Sequence, residues 1–397
     1  MNPLRIADFS THLSGPMCSH LLAEMGAEVI KIENPRTGDG NRGEFEVADG
    51  VGMLHLVLNS GARSLTVERR SPEWPRVVEA CAKWADAVIV GTRPADARRR
   101  GMDFATMRAA NPRIVYCSIS GYGDHGPWAE ITAHGQSIDA YAGLVTTEPG
   151  EVQPQTTPGW RSTGTTLGGV FAALGVLNAL TQRERGVDHA QYLSVSLWHA
   201  ATWWSWRDLT TLANAQRPWI DYSDLGSRYS LYETAEKRVL LICPAERKFW
   251  ERFCEIAELP DEVRSFGDWG ESGMEFGEGE RFEPERKLIA ERIARHDLDW
   301  WTERLAAADI PFAPLLSVEE ALASEHAAAS GLMRDTTVGD RDFRVPASPV
   351  RVAAPDGELT PPGPISGPPD LGADRDEVLR ELGLGELVGA AAGDRES

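Results

Sequence analysis

The first 120 residues alternate between short apolar segments and amphipathic ones, and this alternation constrains the fold more than any other feature of the chain. Apolar segments with strand character occupy residues 4–10, 28–33, 64–68, 86–91 and 113–120. Amphipathic segments with helical spacing lie between them, at 17–26 and 72–85. Strands that alternate with helices form βαβ units, which build a parallel doubly wound sheet. The sequence therefore predicts an α/β fold around such a sheet.

A long apolar segment rich in small residues follows this region. Residues 164–182 predict a helix whose glycines and alanines permit close packing. The chain then continues into a strand and a further helix that ends in three tryptophans, Trp203, Trp204 and Trp206. Large aromatic side chains of this kind anchor cores and subunit interfaces, so we expect one of these two roles for them.

The pattern changes from about residue 225, and 397 residues suit two domains better than one. Residues 227–245 have the pattern of a β-hairpin, and residues 308–323 that of a strand and a helix. Amphipathic helices are predicted at 248–259, 287–296 and 298–308. A tail rich in proline and glycine at 354–372 precedes a last short helix at 376–384, and we expect this tail to run extended over the surface.

Composition and charge exclude several classes of protein. A net charge of −20 repels polyphosphate backbones, so we expect no nucleic-acid partner. We expect no membrane-spanning helix, and the first ten residues lack the pattern of a signal peptide, so the expected location is cytoplasmic. The five cysteines show no CxxC spacing and their number is odd, which favours reduced thiols. No metal site is expected for the same reason.

The common nucleotide and hydrolase motifs are absent. The turn after the first strand reads HLSGP and lacks the GxGxxG fingerprint, which disfavours a nicotinamide or flavin dinucleotide. No HExxH, GxSxG or P-loop pattern occurs, so metalloprotease, serine hydrolase and NTPase functions have no support.

Two polar segments remain as candidates for ligand binding. The arginines of RPADARRR, residues 93–100, form a basic cluster in an acidic chain, which suits either phosphate binding or a solvated helix face. Arg36, Asp39 and Arg42 lie in a glycine-rich loop after a predicted parallel strand. Ligands of open α/β sheets bind at such loops.

Four segments in order resemble the class III CoA-transferases, the CaiB/BaiF family that includes formyl-CoA transferase and alpha-methylacyl-CoA racemase. They are LSGPMCSHLLAEMGAEVIKIENPRTGDGNR, NPRIVYCSISGYGDHGPW, GVFAALGVLNALTQRERG and ADIPFAPLLSVEEALA. Each is weak alone, but together they cover nearly the whole chain and make the resemblance specific.

The resemblance implies an interlocked, ring-like homodimer. Each chain would have a Rossmann-like CoA-binding large domain at 1–205, a linker at 206–224, a smaller α/β domain at 225–325, and a C-terminal segment at 326–397 that returns to the large domain. The implied ligand is coenzyme A, as an acyl-CoA substrate, with a carboxylic acid as acceptor. By motif position, the CoA-binding residues would be His12, Leu13, Arg36, Asn59 and Arg99, and Arg98 and Tyr122 are further candidates for this role.

The catalytic position departs from the family pattern. Alignment on Gly126-Pro127 and Gly143-Leu144 places Gly135 where the transferases have an aspartate that attacks the acyl-CoA thioester. Asp139, one helical turn further on, and Glu130, before the helix, are the two carboxylates that could replace it.

Three functions are therefore open from the sequence. The leading one is an acyl-CoA:carboxylate CoA-transferase that uses Asp139 or Glu130. The second is an acyl-CoA racemase or isomerase in which His134, which matches the histidine of the racemase branch, moves the α-proton. The third is a catalytically silent CoA-binding homologue.

Overall fold

The computed structural model describes residues 3–44, 46–150, 152–215, 225–353, 357, 359–360 and 366–389. The chain divides into two compact units. The larger comprises Met1–Leu209 and Gly331–Ser397, and the smaller comprises Thr210–Ser330.

The strands of the described residues are, in chain order, β1 (Arg5–Asp8), β2 (Glu28–Glu33), β3 (Val47–Ala48), β4 (Val51–Gly52), β5 (Ala62–Thr66), β6 (Ala87–Val90), β7 (Val115–Ser120), β8 (Thr147–Glu148), β9 (Gln155–Thr156), β10 (Gln191–Ser196), β11 (Ser230–Glu233), β12 (Val239–Ile242), β13 (Phe312–Pro314), β14 (Met333–Val338), β15 (Arg341–Pro346), β16 (Val352–Ala353) and β17 (Leu359–Thr360).

The α-helices of the same residues are α1 (Ser14–Glu24), α2 (Met53–Leu58), α3 (Trp74–Trp84), α4 (Pro94–Arg99), α5 (Phe104–Ala110), α6 (Gly135–Tyr141), α7 (Thr163–Glu184), α8 (Leu197–Trp204), α9 (Trp206–Ala215), α10 (Arg247–Ile256), α11 (Asp261–Arg264), α12 (Glu283–Ile293), α13 (Leu298–Ala307), α14 (Val318–Ala323), α15 (Glu325–Ala329) and α16 (Arg375–Glu381).

One six-stranded sheet organises the larger unit. Its order is β10-β7-β6-β1-β2-β5, and all neighbouring strands are parallel. Strands β1, β2, β6 and β7 are almost entirely buried, as expected for a sheet covered on both faces. The predicted parallel sheet of a mixed α/β fold is therefore confirmed.

Hydrophobic clusters cover the two faces of this sheet. Helix α3 packs on one face, with Val77, Val78 and Cys81 against alternate residues of the strands. Helices α1 and α7 pack on the other face, where Leu22 and Val176 belong to one cluster. Side chains of a strand alternate between faces, so the inner strands β1, β2, β6 and β7 each contribute to both clusters.

Helix α7 occupies the place predicted for the apolar helix. It packs against α1 and α8, and Gly168 and Gly169 allow the close approach, since a Cβ at either would overlap Leu197 or Met17. By length and composition alone α7 is apolar enough to span a membrane, so the expectation of no membrane-spanning helix stays a prediction. Half of the apolar part of α7 is buried inside the protein, and core helices of soluble proteins can have the same length and composition.

The smaller unit contains the antiparallel sheet β11-β12-β13 and helices that enclose a separate core. The predicted hairpin is confirmed, since β11 pairs with β12 between Ser230 and Ile242. A buried ion pair joins Arg228 to Glu285, and the guanidinium of Arg228 lies 4.0 Å from the ring centre of Trp250. Pairing with an opposite charge is what makes a buried charge tolerable in such a core.

The C-terminal segment of the larger unit packs on the outermost strand, β5. The amide of Gly372 donates to Ser64 Oγ at 2.9 Å, and the Asp374 carboxylate accepts from the Ser64 amide at 2.8 Å. Much of the predicted extended tail lies outside the described residues, as do residues 216–224 of the predicted linker, whose first part forms α9.

Candidate functional site

The strand order reverses next to β1, and this reversal locates the candidate site. From β1 the chain proceeds outward through β2 and β5, then returns to the other side of β1 to form β6, β7 and β10. Open α/β sheets bind ligands at this point, outside the carboxyl ends of the strands. The loops after β1 and β6 meet there, because Gly91 leaves space for Ser10, whose Cβ would lie 2.7 Å from a Cβ at position 91.

The loop after β1 is held in an unusual backbone conformation. His12 has a φ of 69°, in the left-handed region that residues other than glycine seldom adopt. Its amide donates to Asp39 Oδ1 at 2.8 Å, and its carbonyl accepts from the Asn41 side chain. The His12 ring is exposed, with Nε2 3.3 Å from Glu44 Oε2.

A buried ion cluster lies beneath this loop. Lys31 Nζ lies 3.0 Å from Asp8 Oδ2 and 2.9 Å from Asp39 Oδ2. Burial alone would raise the pKa of Asp39, but the charge of Lys31 and the amides of His12 and Asn41 hold it below its usual value. Burial opposes the charge of Lys31, yet the two carboxylates raise its pKa above the usual value. Asp39 and Lys31 are thus both charged at neutral pH.

A second cluster joins β2 to the loop that follows it. Arg42 donates to both oxygens of Glu33, at 2.9 and 2.7 Å, and Ser64 Oγ donates to the same carboxylate at 2.5 Å. Arg42 also lies 3.1 Å from His55 Nε2. Burial, and then the positive charge of Arg42, lower the pKa of His55 to about 4, so this imidazole is neutral at physiological pH.

The structure brings some of the predicted CoA-binding residues to this edge and buries another. His12 and Leu13 form the loop after β1, and Arg36 lies exposed in the loop after β2, 3.7 Å from Glu68. Asn59 is only 2% exposed, and its amide nitrogen pairs with His55 Nδ1 at 2.8 Å. In this structure Asn59 therefore supports His55 rather than facing solvent.

The arginine cluster after β6 is a mixture of paired and exposed groups. Arg93 and Arg99 both pair with Asp96, in the first turn of α4, and Arg93 also donates to the Glu130 carbonyl at 2.9 Å. Arg98 is exposed and lies 3.5 Å from the Glu130 carboxylate. The cluster thus reaches the loop that leads into α6.

Arg69 adds a guanidinium that was not singled out from the sequence. It is half-buried, and its Nε has no hydrogen-bond partner among the described residues. Burial and the like charge of Arg100 lower its pKa from the usual value. Two cationic groups that repel each other in this way favour an anionic ligand between or beside them.

Aromatic rings line the next part of the edge. Tyr122, after β7, is buried and meets the rings of Trp128 and Tyr141 edge-on. Trp128 and Tyr141 are stacked, with ring centres 4.1 Å apart, and both are exposed. They form an apolar surface beside α6.

The start of α6 contains Gly135, and a neighbouring hydroxyl fills the space above it. A Cβ at position 135 would lie 2.2 Å from Ser162 Oγ. Ser162 Oγ in turn lies 2.5 Å from Thr165 Oγ1. His134 precedes the helix and its ring is exposed. The Ser137 hydroxyl accepts from the His134 amide at 3.0 Å and donates to the His134 carbonyl at 2.8 Å, which fixes the backbone there.

The two carboxylates predicted to replace the missing aspartate are in opposite environments. Asp139 is 0% exposed and accepts from the Trp160 indole at 3.1 Å and the amides of Thr163 and Gly164 at 2.9 and 2.8 Å. Both of its oxygens are therefore used to hold the start of α7. The Glu130 side chain is 50% exposed, and among the described residues its carboxylate contacts Arg98 alone. Of the two carboxylates, Glu130 is the one that is accessible to solvent.

Sequence reasoning missed Lys31 and Ser162. A lysine inside the buried segment EVIKIE was the available signal for Lys31, since a charge in a strand covered on both faces must be paired. No comparable signal marks Ser162, because its position over Gly135 depends on how α6 and α7 pack. No group of three or more metal-binding side chains occurs in the described part of the chain.

Comparison with known proteins adds to this geometry. The chain is 25% identical to the succinate–glutarate CoA-transferase of Agrobacterium fabrum, over 86% of each protein. It is 25% identical to the formyl-CoA:oxalate CoA-transferase of Rhodopseudomonas palustris, over 96% of this chain and 93% of the relative.

Solved structures show the same fold. A CaiB/BaiF family protein from Brucella suis superposes with a TM-score of 0.76 at 20% identity, over 96% of this chain and 98% of that one. A hypothetical protein from Mycobacterium tuberculosis gives 0.77 at 23% identity, over 95% and 98%. The family model described as CoA-transferase family III matches residues 1–375. Nearly the whole chain is spanned by this match, and the protein belongs to CoA-transferase family III.

Proposed function

We propose that this protein transfers CoA from an acyl-CoA to a carboxylic acid, with Glu130 as the carboxylate that forms the covalent intermediates. The observation that carries the proposal is the exposure of Glu130 beside Arg98, within a chain whose relatives are named CoA-transferases. Asp139 lacks this exposure, and Gly135 has no side chain.

The reaction requires two exchanges at one carboxylate. A Glu130 oxygen attacks the thioester carbon, the C–S bond breaks, and CoA leaves as a thiolate while the acyl group forms a mixed anhydride with Glu130. The thiolate then attacks the Glu130 carbonyl carbon, releases the first carboxylate, and leaves a Glu130–CoA thioester. The acceptor carboxylate repeats these steps in reverse, which frees Glu130 and yields the new acyl-CoA.

The site's charges suit the phosphates of CoA. The exposed groups His12, Arg36 and Arg98 lie on neighbouring loops at the carboxyl edge of the sheet, and Arg69 and Arg100 add positive charge. Guanidinium groups bind phosphate oxygens through paired hydrogen bonds.

We place Leu13 and Arg99 on the same binding surface, and Tyr122 at its aromatic end.

We further propose that the acyl group is larger and more apolar than oxalate or succinate. The stacked rings of Trp128 and Tyr141 are exposed beside α6 and present apolar surface to this part of the site. Flat aromatic surfaces bind apolar and aryl groups well. A panel with aryl and small dicarboxylic acyl-CoA esters tests this preference.

The assembly that we propose is the interlocked homodimer, acting in the cytoplasm without nucleic acid or membrane. Trp203, Trp204 and Trp206 are each about half exposed, as is Leu174 of α7. Exposed aromatic residues in one region are typical of an interface with a second subunit. The strongly acidic chain supports the absence of nucleic acid.

A proton transfer by His134 is the second candidate. The His134 ring is exposed at the start of α6, and the backbone beside it is fixed by Ser137. A positioned imidazole can remove an acidic α-proton from an acyl-CoA. Deuterium exchange at the acyl α-carbon would reveal this reaction, which needs no covalent adduct.

Trapping of the covalent intermediate tests the first proposal. The protein is incubated with the acyl-CoA panel, treated with hydroxylamine or borohydride, and mapped by mass spectrometry. We expect a modified Glu130 in the wild type, no adduct in Glu130→Gln, and an unchanged adduct in the control Glu184→Gln, at the far end of α7. An adduct that persists in Glu130→Gln would assign the reaction to another residue, and α-proton exchange without an adduct would favour His134.

A further inference from the structure

The buried lysine of β2 links the two loops at the carboxyl edge of the sheet. We propose that Lys31 is a positioning residue for CoA binding, which acts through Asp39 to hold His12 in its left-handed conformation. This inference rests on the proposed function, since it takes His12 as part of the CoA-binding surface.

Lys31 cannot act by direct contact with a ligand. Its side chain is 1% exposed, and its ammonium group is surrounded by Asp8 Oδ2 at 3.0 Å, Asp39 Oδ2 at 2.9 Å and the Ser10 carbonyl at 2.9 Å. The ammonium group donates hydrogen bonds to Asp8 and to the Ser10 carbonyl and forms an ion pair with Asp39, so its charge is neutralised within the protein. Any effect of Lys31 on ligand binding must pass through these partners.

The strand register places Lys31 between the two loops. Lys31 of β2 pairs with Asp8, the last residue of β1, so it lies level with the end of β1 and two residues before the end of β2. Asp8 is also fixed by Ser19 of α1, whose Oγ donates to Asp8 Oδ2 at 2.8 Å. The position of Lys31 is thus determined by the sheet and by α1, not by the loops that it holds.

Asp39 carries this constraint to His12. One oxygen of Asp39 contacts Lys31, and the other accepts from the amides of His12 at 2.8 Å and Asn41 at 3.1 Å. A histidine at positive φ persists only where its surroundings hold it there. Without Lys31, the buried Asp39 carboxylate loses its neutralising charge, and the hydrogen bond that holds His12 weakens.

A double-mutant cycle tests the proposed route. The affinity for free CoA is measured by calorimetry for the wild type, Lys31→Met, His12→Ala and the double variant, with Lys83→Met, an exposed lysine of α3, as the control. We expect each single variant to bind about tenfold more weakly and the double variant to be no weaker than either. The control is expected to bind like the wild type. Multiplied losses in the double variant would overturn the proposal.

A second readout does not depend on CoA. Hydrogen exchange at the His12 amide is expected to be at least tenfold faster in Lys31→Met and in the milder variant Asp39→Asn, while amides of the β6 and β7 strands keep their protection. Unchanged exchange at His12 would overturn the proposal even if CoA affinity falls. A wild type that shows no CoA binding would instead refute the proposed function, and the exchange result would still decide whether Lys31 holds His12.

Discussion

Gly135 and Ser162 share one space at the start of α6. The Ser162 hydroxyl lies where a side chain at position 135 would project, and it is held there by Thr165. The Ser162 hydroxyl thus occupies the space that Gly135 leaves open. This is the position to which the resemblance assigns an aspartate. A carboxylate at this position would require the Ser162 hydroxyl to move.

Substitution of both residues tests this relationship. Gly135→Asp alone should overpack the site and lower the free energy of unfolding by about 1–3 kcal/mol. Addition of Ser162→Ala removes the overlapping hydroxyl, so the double variant should recover most of that stability. Its acyl-CoA adduct is expected at position 135. Calorimetry and peptide mapping measure the two effects, and Ser162→Ala alone is the control. A double variant no more stable than Gly135→Asp would show that other atoms limit the space.

Single residues were only partly predictable from the sequence. Spacing identified Asp139, Glu130 and His134 as candidates, but it could not separate a buried carboxylate from an exposed one. That distinction depends on Trp160 and the start of α7, which lie more than 20 residues away in sequence. Likewise, no pattern in the sequence indicated that Asn59, a predicted CoA-binding residue, is buried against His55.

Helices α6 and α7 meet through one carboxylate. Asp139 of α6 accepts from the amides of Thr163 and Gly164, which begin α7, and the negative charge lies at the positive end of that helix dipole. Gly164 allows this contact, because a Cβ there would lie 2.9 Å from Asp139 Oδ1. This contact between α6 and α7 sets the position of Ser162 relative to Gly135.

Removal of this carboxylate should destabilise the protein without abolishing the proposed chemistry. Asp139→Asn places an amide group against backbone N–H donors, and we expect a loss of about 2–4 kcal/mol in the free energy of unfolding, measured with urea. Glu130→Gln, whose carboxylate is exposed, should change stability by less than about 0.5 kcal/mol. If Asp139→Asn were stable but formed no adduct, Asp139 would instead be identified as the nucleophile.

Elements were more predictable than residues. The strands of the parallel sheet and helices α1, α3 and α7 follow from the hydrophobic pattern, which reflects burial over many residues. Helices α2 and α5 and the β14–β15 hairpin were not predicted. Helices α2 and α5 are short, and Val345 alone is buried among the residues of β14 and β15, so their sequences carry little periodic signal.

At the scale of the larger unit, the two ends of the chain meet at the second polar cluster. Arg42 donates to the Pro369 carbonyl at 3.0 Å, and Ser64 links Glu33 to Gly372. Residues more than 300 positions apart in sequence therefore depend on one buried group of charges. The hydrophobic pattern indicates neither contact, because both involve polar atoms of loops.

This cluster makes stability depend on pH through His55. The pKa of a histidine is ordinarily near 6.5, and burial beside Arg42 lowers that of His55 to about 4. Between these values the unfolded chain binds a proton that the folded chain does not, so stability falls as the pH falls from 6.5 to 4. The full difference corresponds to at most about 3 kcal/mol.

Urea denaturation between pH 7 and pH 4 measures this dependence. We expect His55→Asn to lose less stability over the window than the wild type, although its stability at pH 7 is lower because Arg42 and Asn59 lose a partner. Some dependence should remain, since burial also lowers the pKa of His20. The exposed His189→Asn should retain the wild-type slope. If stability depended equally on pH in His55→Asn and in the wild type, protonation of His55 would not be the cause of the acid destabilisation. The contacts between residues near 42–64 and 369–372 would then not be the part of the fold that acid weakens first.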